Sequence, residues 1–436
     1  MLPLVLLSLL GAAAAVPAAA PTNEASEAAI TDPFQECTPY DYPPVDALSA
    51  SYPPNWVQPA VIVAGDAAAN ALWAQIKPSI PTDIAPRGTV QGDFSGVNYP
   101  SSDPDCWWTY EQCTTPKLAG LAPDITGVPE PNTLGYGFDD GPNCSHNAFY
   151  DYLSGQNQKA TMFYIGSNVQ NWPLQAQRAI SDGHEICVHT WSHPYMTAVD
   201  SEGAFAELYY AREMIRAVTG VTPKCWRPPY GDVDDRIRSI AAALNLTTIV
   251  WSYDSFDYNG PSVQAEVDQN YENLIARAKN GTFANAGTIM LTHELTNFTM
   301  QTAVDYYAQL KGAFAHLVPV GVGMNWTQPC GGTDDRERGE RRLLLLLLLF
   351  RRSLIFVLGK QHKRRFGGDD REQQQQAERQ RGGRVELRRG ARARGRGRVG
   401  GGAERGARVR GGAGCASLGR VLRRLALFVH VTAIRR

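Results

Sequence analysis

The chain has 436 residues, and its formal net charge of −1 conceals two segments of opposite sign. Residues 1–332 hold 14 Lys and Arg against 33 Asp and Glu, whereas residues 333–436 hold 28 against 10. This imbalance excludes a single evenly charged domain, and the length allows one large domain or two smaller ones. The acidic body and the basic tail are therefore interpreted separately.

Residues 1–20 predict a secretory signal peptide. An apolar run from Leu2 to Leu10 leads into small residues that end near Ala20, although a charged start is missing. The run is too short for a spanning helix, and its position disfavours a buried apolar helix. We therefore expect a secreted protein of the extracellular space or the cell wall.

Sequons and cysteines agree with export. Seven of the eight cysteines lie in the acidic body, where most would pair in an oxidising compartment. Cys106 and Cys113 bracket a short loop and are the safest predicted pair, whereas we expect Cys187, in the apolar run HEICVHT, to be a free buried thiol. No Cys-x-x-Cys spacing occurs in the sequence, so a thiolate zinc site is not indicated. Five sequons predict a glycoprotein, at Asn143, Asn245, Asn280, Asn297 and Asn325.

Residues 21–131 are rich in Pro, Asn, Asp and aromatic residues, and only the stretch AAANALWAQIK looks helical. We predict a loop-rich extension that is stapled by disulfides and packed on something larger.

In residues 132–332 the sequence pattern is different, because short apolar strands are predicted to alternate with amphipathic helices. Six strand–helix pairs run from TLGYGF with SHNAFYDYLSGQ to GTIMLTH with MQTAVDYYAQLKGAFAHL, and a last short strand, VPVGV, closes the series. This alternation predicts an α/β fold with a parallel sheet and crossover helices. About seven strands favour a barrel or near-barrel, with its chemistry at the C-terminal ends of the strands.

Residues 333–436 differ in kind. The apolar run RRLLLLLLLFRRSLIFVLGK is interrupted by Arg351 and Arg352, which makes it a poor membrane span. The Arg/Gly-rich sequence beyond it cannot bury a core and is predicted to be disordered. Nucleic-acid binding is one interpretation, but we favour a tail without a selected role and expect no nucleic-acid partner. The chain ends in Arg435 and Arg436, which does not support a lipid anchor.

Two histidines stand four residues apart in the stretch DGHEICVHTWSHPYM. One helical turn would direct His189 and His193 to a single point. There they would hold a metal ion or share a hydrogen-bonded network, although histidines of this kind are more commonly ordinary surface or core residues. Zinc bound by two imidazoles takes a third ligand, and GFDDGP offers Asp139 and Asp140 at the end of the first strand. Adjacent residues leaving a strand point apart, so one carboxylate can bind metal while the other takes a proton from water.

Hydrolysis of an amide or ester also needs an acid for the leaving group. His293 in IMLTHE can supply the proton, and Asp257 in DSFDY can hold its tautomer and raise its pKa. Arg227 in WRPPYG can brace Asp139, and the prolines can fix the backbone N–H of Tyr230 toward a developing oxyanion. Taken singly, Arg227 could equally form a structural ion pair and Asp257 could be a turn residue.

In this order, GFDDGP, HTWSH, RPPYG, DSFDY and LTH resemble the five motifs of the polysaccharide deacetylases, carbohydrate esterase family 4. The stretches CSHNAFYDYL and HTWSHPYMT are most similar to secreted fungal chitin deacetylases, and the resemblance covers roughly residues 106–330. It implies a distorted (β/α) barrel, one divalent ion (zinc, with cobalt as the alternative), and removal of acetyl from N-acetylglucosamine units. We expect a monomer that converts chitin or its oligomers to chitosan and acetate.

The resemblance also implies a role for each motif residue. The metal ligands are Asp140, His189 and His193. The proton-transfer residues are the base Asp139, its orienting Arg227, the acid His293 and its tuning Asp257. The substrate-binding residues are Tyr230, whose backbone forms the oxyanion hole, Leu291 in the acetyl pocket, and Tyr258 as an aromatic wall.

Two positions depart from the family pattern. The fourth motif usually ends in Trp, where this chain has Tyr258, and the first usually begins with Thr, where it has Gly137. Neither change removes a ligand or a proton-transfer group. An acetylxylan-type esterase stays an alternative because amides and esters react through similar oxyanions. A non-catalytic chitin-binding wall protein is disfavoured by the intact set of motif residues.

Overall fold

A computed structural model describes residues 20–326 and 330–331. Apart from Ala20, the predicted signal peptide of residues 1–20 lies outside this part, as does the predicted tail of residues 333–436. Within the described part, no helix is both long and apolar enough to cross a membrane.

The elements alternate along the chain much as the sequence predicts. The strands are β1 (Thr133–Gly135), β2 (Gly137–Gly141), β3 (Thr161–Tyr164), β4 (Glu185–Val188), β5 (Thr222–Pro223), β6 (Cys225–Trp226), β7 (Thr247–Thr248), β8 (Tyr253–Asp254), β9 (Thr288–Leu291), β10 (His316–Val318) and β11 (Cys330–Gly331). The helices are α1 (Glu24–Glu27), α2 (Pro33–Glu36), α3 (Pro43–Asp46), α4 (Ala67–Ile76), α5 (Trp108–Glu111), α6 (Asn147–Gly155), α7 (Gly166–Asn171), α8 (Pro173–Asp182), α9 (Ser201–Thr219), α10 (Asp235–Ala243), α11 (Gln264–Lys279), α12 (Asn297–Ala313) and α13 (Val320–Gly323). Short 3₁₀ helices lie at Ser49–Ser51, Lys77–Ser79, Met196–Ala198, Pro229–Gly231, Asp257–Asn259 and Pro261–Val263.

Nine of the strands form two parallel sheets, which confirms the predicted α/β class, and the remaining two, β5 and β11, form a short antiparallel pair. One sheet has the order β2-β3-β4-β6-β7 and the other has the order β10-β1-β9-β8. A parallel bridge between Asp139 and His293 connects β2 to the chain just after β9. The two sheets therefore meet where the residues predicted to act as base and acid leave their strands.

The closed barrel is not confirmed. Among the described residues, β7 and β8 pair with other strands but not with each other, so the barrel stays a prediction. The predicted last strand, VPVGV, is wrong beyond its first residue, because β10 ends at Val318 and α13 begins at Val320. Pro319 lies between them and has no N–H to donate to a strand ladder, whereas proline is well tolerated where a helix starts.

Local signals fix the ends of the longest helix, α9. The carboxylate of Asp200 accepts a hydrogen bond from the N–H of Gly203 at 2.7 Å, and Gly220 ends the helix at a φ of 75°. The buried face includes Phe205 and Ala211, and α9 packs against α7, α8 and α10. This packing holds the loops that follow β3 and β4, which carry part of the predicted site.

Residues 21–131 contain short helices and loops, with α4 at the predicted helical stretch. The carboxylate of Asp66 caps α4 by accepting from the N–H groups of Ala68 and Ala69. The predicted disulfide between Cys106 and Cys113 is present. A second disulfide, between Cys37 and Cys144, ties the extension to the chain just before α6 across a separation of 107 residues.

The prediction that Cys187 is a free thiol is wrong. Cys187 forms a disulfide with Cys225. The strands β4 and β6 are parallel neighbours in which Val188 lies opposite Trp226, so the preceding residues, the two cysteines, also face each other. Burial in an apolar run was therefore a poor guide to the redox state of this sulfur.

Candidate active site

The residues predicted to carry chemistry meet at one cavity of about 610 Å³ at the C-terminal ends of the parallel strands. Two of them, Arg227 and Asp257, lie behind the cavity wall, where they contact Asp139 and His293, respectively. The predicted residues that line the cavity are Asp139, Asp140, His189, His193, Tyr230, Tyr258, Leu291 and His293. The structure thus brings together the whole predicted set.

Asp140, His189 and His193 form a group whose ligand atoms lie within 4.8 Å of one another. The Oδ1 atom of Asp140 lies 3.3 Å from Nε2 of His189 and 3.2 Å from Nε2 of His193. This oxygen is buried, and no hydrogen bond reaches it among the described residues. A carboxylate oxygen and two imidazole nitrogens turned to one point fit a divalent cation, so the donor set suits a metal ion.

The hydrogen bond on the far side of His189 fixes its tautomer. Its Nδ1 lies 2.8 Å from the backbone carbonyl of Arg227, which can only accept, so Nδ1 carries a proton and donates. In the neutral ring, Nε2 then presents its lone pair toward Asp140. Burial alone would raise the pKa of Asp140, but the imidazoles of His193 and His189 hold it well below its usual range. Asp140 is therefore ionised, as a metal ligand must be.

The helical turn expected to pair His189 with His193 is wrong. His189 directly follows β4, and the two residues lie in a loop. The left-handed backbone at Thr190, with a φ of 63°, and at His193, with a φ of 60°, turns the second imidazole back toward the first. The ring centroids are 4.9 Å apart.

Other motif loops share this backbone feature. Asp140, Tyr230 and Phe256 have φ values of 73°, 58° and 58°. Such conformations are uncommon for residues other than glycine and persist only where the surroundings enforce them. No sequence signal marks these conformations, because none of the three residues is glycine.

Asp139 is held by an ion pair that is buried on both sides. Its Oδ1 accepts from Arg227 Nη1 at 2.6 Å, which leaves Oδ2 directed toward His189 at 3.8 Å from Nε2. The guanidinium of Arg227 lies 3.9 Å from the ring centroid of Phe163. Burial lowers the pKa of Arg227, although Asp139 opposes the change, and guanidinium remains charged in proteins. The ion pair therefore leaves the second oxygen of Asp139 free for chemistry.

His293 forms the second buried pair. Its Nδ1 lies 2.6 Å from Oδ1 of Asp257, and its backbone N–H donates to Oδ2 of the same residue at 3.0 Å. Burial alone would lower the pKa of His293, but the Asp257 carboxylate, helped by Asp140 and Asp139, raises it to about 9. A histidine that is protonated at neutral pH and faces the cavity can donate a proton to a leaving group.

Tyr230 is half-exposed at the rim of the cavity. Its ring stacks on Tyr195, with centroids 4.0 Å apart and planes at 4°, and its hydroxyl lies 3.2 Å from Nδ1 of His193. The next residue, Gly231, has a φ of 72°, and a Cβ there would meet the Trp108 ring at 2.4 Å. The RPPYG loop therefore needs glycine after Tyr230 for both backbone and space.

Several residues of the site were missed by sequence reasoning. Glu207 in α9 accepts hydrogen bonds from both backbone N–H groups of Trp191 and Ser192 at 2.8 Å, and so holds the loop between the two histidines. Asp254 is noticeable in the sequence as a polar residue that follows a predicted strand, but no role was predicted for it; it lines the cavity, and burial raises its pKa to about 6. Three tryptophans also line the cavity: Trp56, Trp108 and Trp251. Trp56 comes from the extension, where no motif or spacing marks it.

Comparisons with known proteins agree with this geometry. Residues 126–249 match the family model described as Polysaccharide deacetylase. Chitin deacetylase 2 of Cryptococcus neoformans var. grubii is 55% identical over 316 residues, which cover 71% of this chain and 69% of that protein. The chain belongs to the polysaccharide deacetylase family. The family predicted from the motifs and the predicted hydrolase class are therefore confirmed.

Two further proteins are similar to this family member. Chitin deacetylase of Amylomyces rouxii is 44% identical over 309 residues, which cover 68% of this chain and 72% of that protein. The solved structure of the chitin deacetylase from Colletotrichum lindemuthianum is 24% identical, covers 47% of this chain and 93% of that chain, and has a TM-score of 0.43.

Proposed function

We propose that this polysaccharide deacetylase is a secreted, metal-dependent chitin deacetylase, which hydrolyses the N-acetyl groups of N-acetylglucosamine units to give chitosan and acetate. The relatives at 55% and 44% identity are both named chitin deacetylases. One observation supports the proposal most strongly. Two buried proton-transfer pairs, Asp139 with Arg227 and His293 with Asp257, meet at the same cavity as the cation-ligand set, which is the group of Asp140, His189 and His193.

Asp140, His189 and His193 would hold one divalent ion. A set of one carboxylate and two imidazoles is typical of catalytic zinc, with cobalt as the alternative. When bound, such an ion lowers the pKa of a water molecule and polarises a carbonyl group. The carbonyl of Arg227 keeps His189 in the tautomer that a ligand requires.

The chain's own residues supply the remaining steps. Asp139 takes a proton from the attacking water through Oδ2, because Arg227 occupies Oδ1. The backbone N–H of Tyr230 donates to the oxyanion that forms on the acetyl carbonyl. His293 then gives its proton to the departing amine, and Asp257 stabilises its charged form. Leu291 lines the acetyl pocket, and Tyr258 forms one wall against the sugar.

Secretion and glycosylation belong to the same proposal. Three disulfides among the described residues suit an oxidising compartment. The predicted sequon Asn143 is half-buried and donates through Nδ2 to the carbonyl of Leu295, so we exclude it as a glycan site. The exposed sequon residues are Asn245, Asn280, Asn297 and Asn325. We propose that the protein acts as a monomer and takes chitin or its oligomers as partner.

Acetate release tests the proposal. Purified protein is incubated with chitin oligomers, chitin polymer and acetylxylan, with chelator, and with chelator followed by zinc or cobalt. We expect release from the chitin substrates that stops with chelator and returns with metal. An Asp140→Ala variant is the matched control and should stay inactive after metal is added. Release from acetylxylan alone would replace the proposal by an esterase, and binding of chitin without release would replace it by a non-catalytic wall protein.

A further inference from the structure

Trp56 is an exposed aromatic residue on a rigid backbone at the mouth of the cavity. Its side chain is 46% exposed, and it lines the cavity together with the motif residues. It belongs to the loop-rich extension, outside residues 126–249 that match the family model. A single exposed apolar residue is ordinary, but one that belongs to a contiguous apolar patch at the mouth of a cavity points to a ligand that covers it.

The residues around Trp56 are anchored to α7, which follows β3, and to the loop that follows β4. The N–H of Trp56 donates to Ser167 Oγ at 3.1 Å, and Asn55 Nδ2 donates to Asn171 Oδ1 at 2.6 Å. Gln58 Nε2 donates to the carbonyl of Ser192 at 2.6 Å. These bonds hold the backbone of Trp56 in place before any ligand arrives, which reduces the entropy lost on binding.

The same segment is tied to the loop that carries the two histidines. The N–H of Ala60 donates to Glu207 Oε1 at 2.7 Å, and Glu207 Oε2 accepts from the N–H groups of Trp191 and Ser192. The carbonyl of Pro54 accepts from Trp191 Nε1 at 3.2 Å. Trp56 is therefore fixed relative to the cation-ligand set and not merely near it.

The surface around the mouth is apolar and aromatic. Tyr230, Tyr258 and Leu295 line the cavity with Trp56 and, like it, are large apolar side chains exposed to solvent. Trp108 and Trp251 add a pair of rings in the cavity wall, with centroids 5.0 Å apart. Sugar rings present C–H faces that pack on aromatic rings while their hydroxyls remain in water, so this surface suits a glycan.

Trp56 and Tyr258 are held by different parts of the fold. Trp56 is anchored on α7, which follows β3, whereas Tyr258 follows β8 in the other sheet. The predicted proton-transfer residues Asp139 and His293 lie where the two sheets meet. A sugar whose acetyl group reaches these residues can contact Tyr258, and a neighbouring sugar of the same chain can reach Trp56.

We propose that Trp56 forms a subsite that stacks on a sugar ring next to the unit being deacetylated, and that it sets the preference of the enzyme for oligomers over single sugars. This proposal rests on the proposed function. The extension then contributes directly to substrate binding.

The test compares Trp56→Ala and Trp56→Phe with a matched control, Phe34→Ala. Phe34 lies on the same extension and is 88% exposed, but it does not line the cavity. Acetate release is measured on N-acetylglucosamine, on a chitin ladder from dimer to pentamer and on an activated aryl acetate. We expect Trp56→Ala to lose about tenfold in kcat/KM on tetramer and pentamer, mainly through KM, with a smaller loss on the aryl acetate. Trp56→Phe should lose less than Trp56→Ala, and Phe34→Ala should match the parent.

Equal losses on all substrates, or no loss on the pentamer, would overturn the subsite while leaving the proposed function intact. If the parent releases no acetate from any oligomer, the proposed function fails instead. Calorimetric titration of chitin tetramer into the Asp139→Asn protein, with and without Trp56→Ala, then decides the subsite without turnover. We expect weaker binding by about tenfold when Trp56 is absent, and unchanged binding would refute the subsite.

Discussion

The pair of His293 and Asp257 gives the sharpest prediction, because a single substitution removes the negative charge beside the imidazole. In Asp257→Asn the side chain keeps its shape, but its one carbonyl oxygen can accept only one of the two hydrogen bonds from His293. The negative charge 2.6 Å from Nδ1 is lost. Burial, which opposes the charged imidazole, then dominates, so the pKa of His293 should fall from about 9 to below its ordinary value of about 6.5.

The magnitude follows from the protonated fraction. At pH 7.5 a histidine with a pKa of 9 is about 97% protonated, whereas one with a pKa of 6.5 is about 9% protonated. Because the acid form acts below the pKa, activity is lost as pH rises through that value. The alkaline limb of kcat on chitin tetramer should therefore move to lower pH by about two units or more, with at least a roughly tenfold loss at pH 7.5.

The assay is kcat against pH for the parent, Asp257→Asn and a control, Asp254→Asn. Asp254 is a nearby cavity carboxylate that accepts from Phe256 and Tyr258 instead of His293. A bound cation would lower the pKa of His293 in parent and variant alike, so the displacement between the profiles is the measured quantity. An alkaline limb that stays in place in Asp257→Asn, or that moves equally in Asp254→Asn, refutes the assigned pair.

Three further predictions concern the ion, the base and the tail. Asp139→Asn should keep about one equivalent of metal, since Asp140 and His193 are untouched, yet lose about 100- to 10,000-fold in rate; loss of metal would contradict its role as base. His189→Ala should lose both its bound metal, measured by mass spectrometry, and its activity, measured by acetate release. A variant that stays active without metal would refute the metal hypothesis. Truncation after Gly332 should leave thermal unfolding and acetate release as in the parent, and a folded but inactive product would show that the tail has a function.

The site was predictable from sequence because its residues follow strands. Parallel strands place their C-terminal ends at one edge, so polar residues at the end of β2 and just after β4 and β9 had to converge. Asp139, His189 and His293 needed no more than this rule to be brought together. The rule does not give backbone conformation, and the pairing of His189 with His193 through a helical turn was wrong because left-handed residues turned the loop instead.

Contacts that join distant parts of the chain could not be predicted in this way. Trp56 reaches the cavity through hydrogen bonds to Ser167 and, by its neighbour Gln58, to Ser192, over 100 residues later in the chain. No periodicity encodes such an approach, since a loop has no repeating pattern. The disulfide between Cys37 and Cys144 is of the same kind. Closure of the sheets into a barrel depends likewise on long-range pairing and stays a prediction.

The disulfide between Cys187 and Cys225 was also missed, and it has a consequence for stability. Each cysteine lies two residues before a site residue, His189 and Arg227, whose ring nitrogen and carbonyl are 2.8 Å apart. The disulfide therefore links the neighbouring strands β4 and β6 two residues before His189 and Arg227.

Replacing both cysteines by alanine should lower the free energy of unfolding by about 2–4 kcal/mol, since the bond closes a loop of 38 residues in the unfolded chain. Urea unfolding of the double variant, with Cys106→Ala/Cys113→Ala as the control, measures this difference. The control closes a loop of only 7 residues and should lose less, because loop-closure entropy rises with length. A loss for Cys187→Ala/Cys225→Ala below that of the control would refute the loop-closure reasoning, and alkylation of Cys187 in the unreduced unfolded parent would show that its sulfur is free.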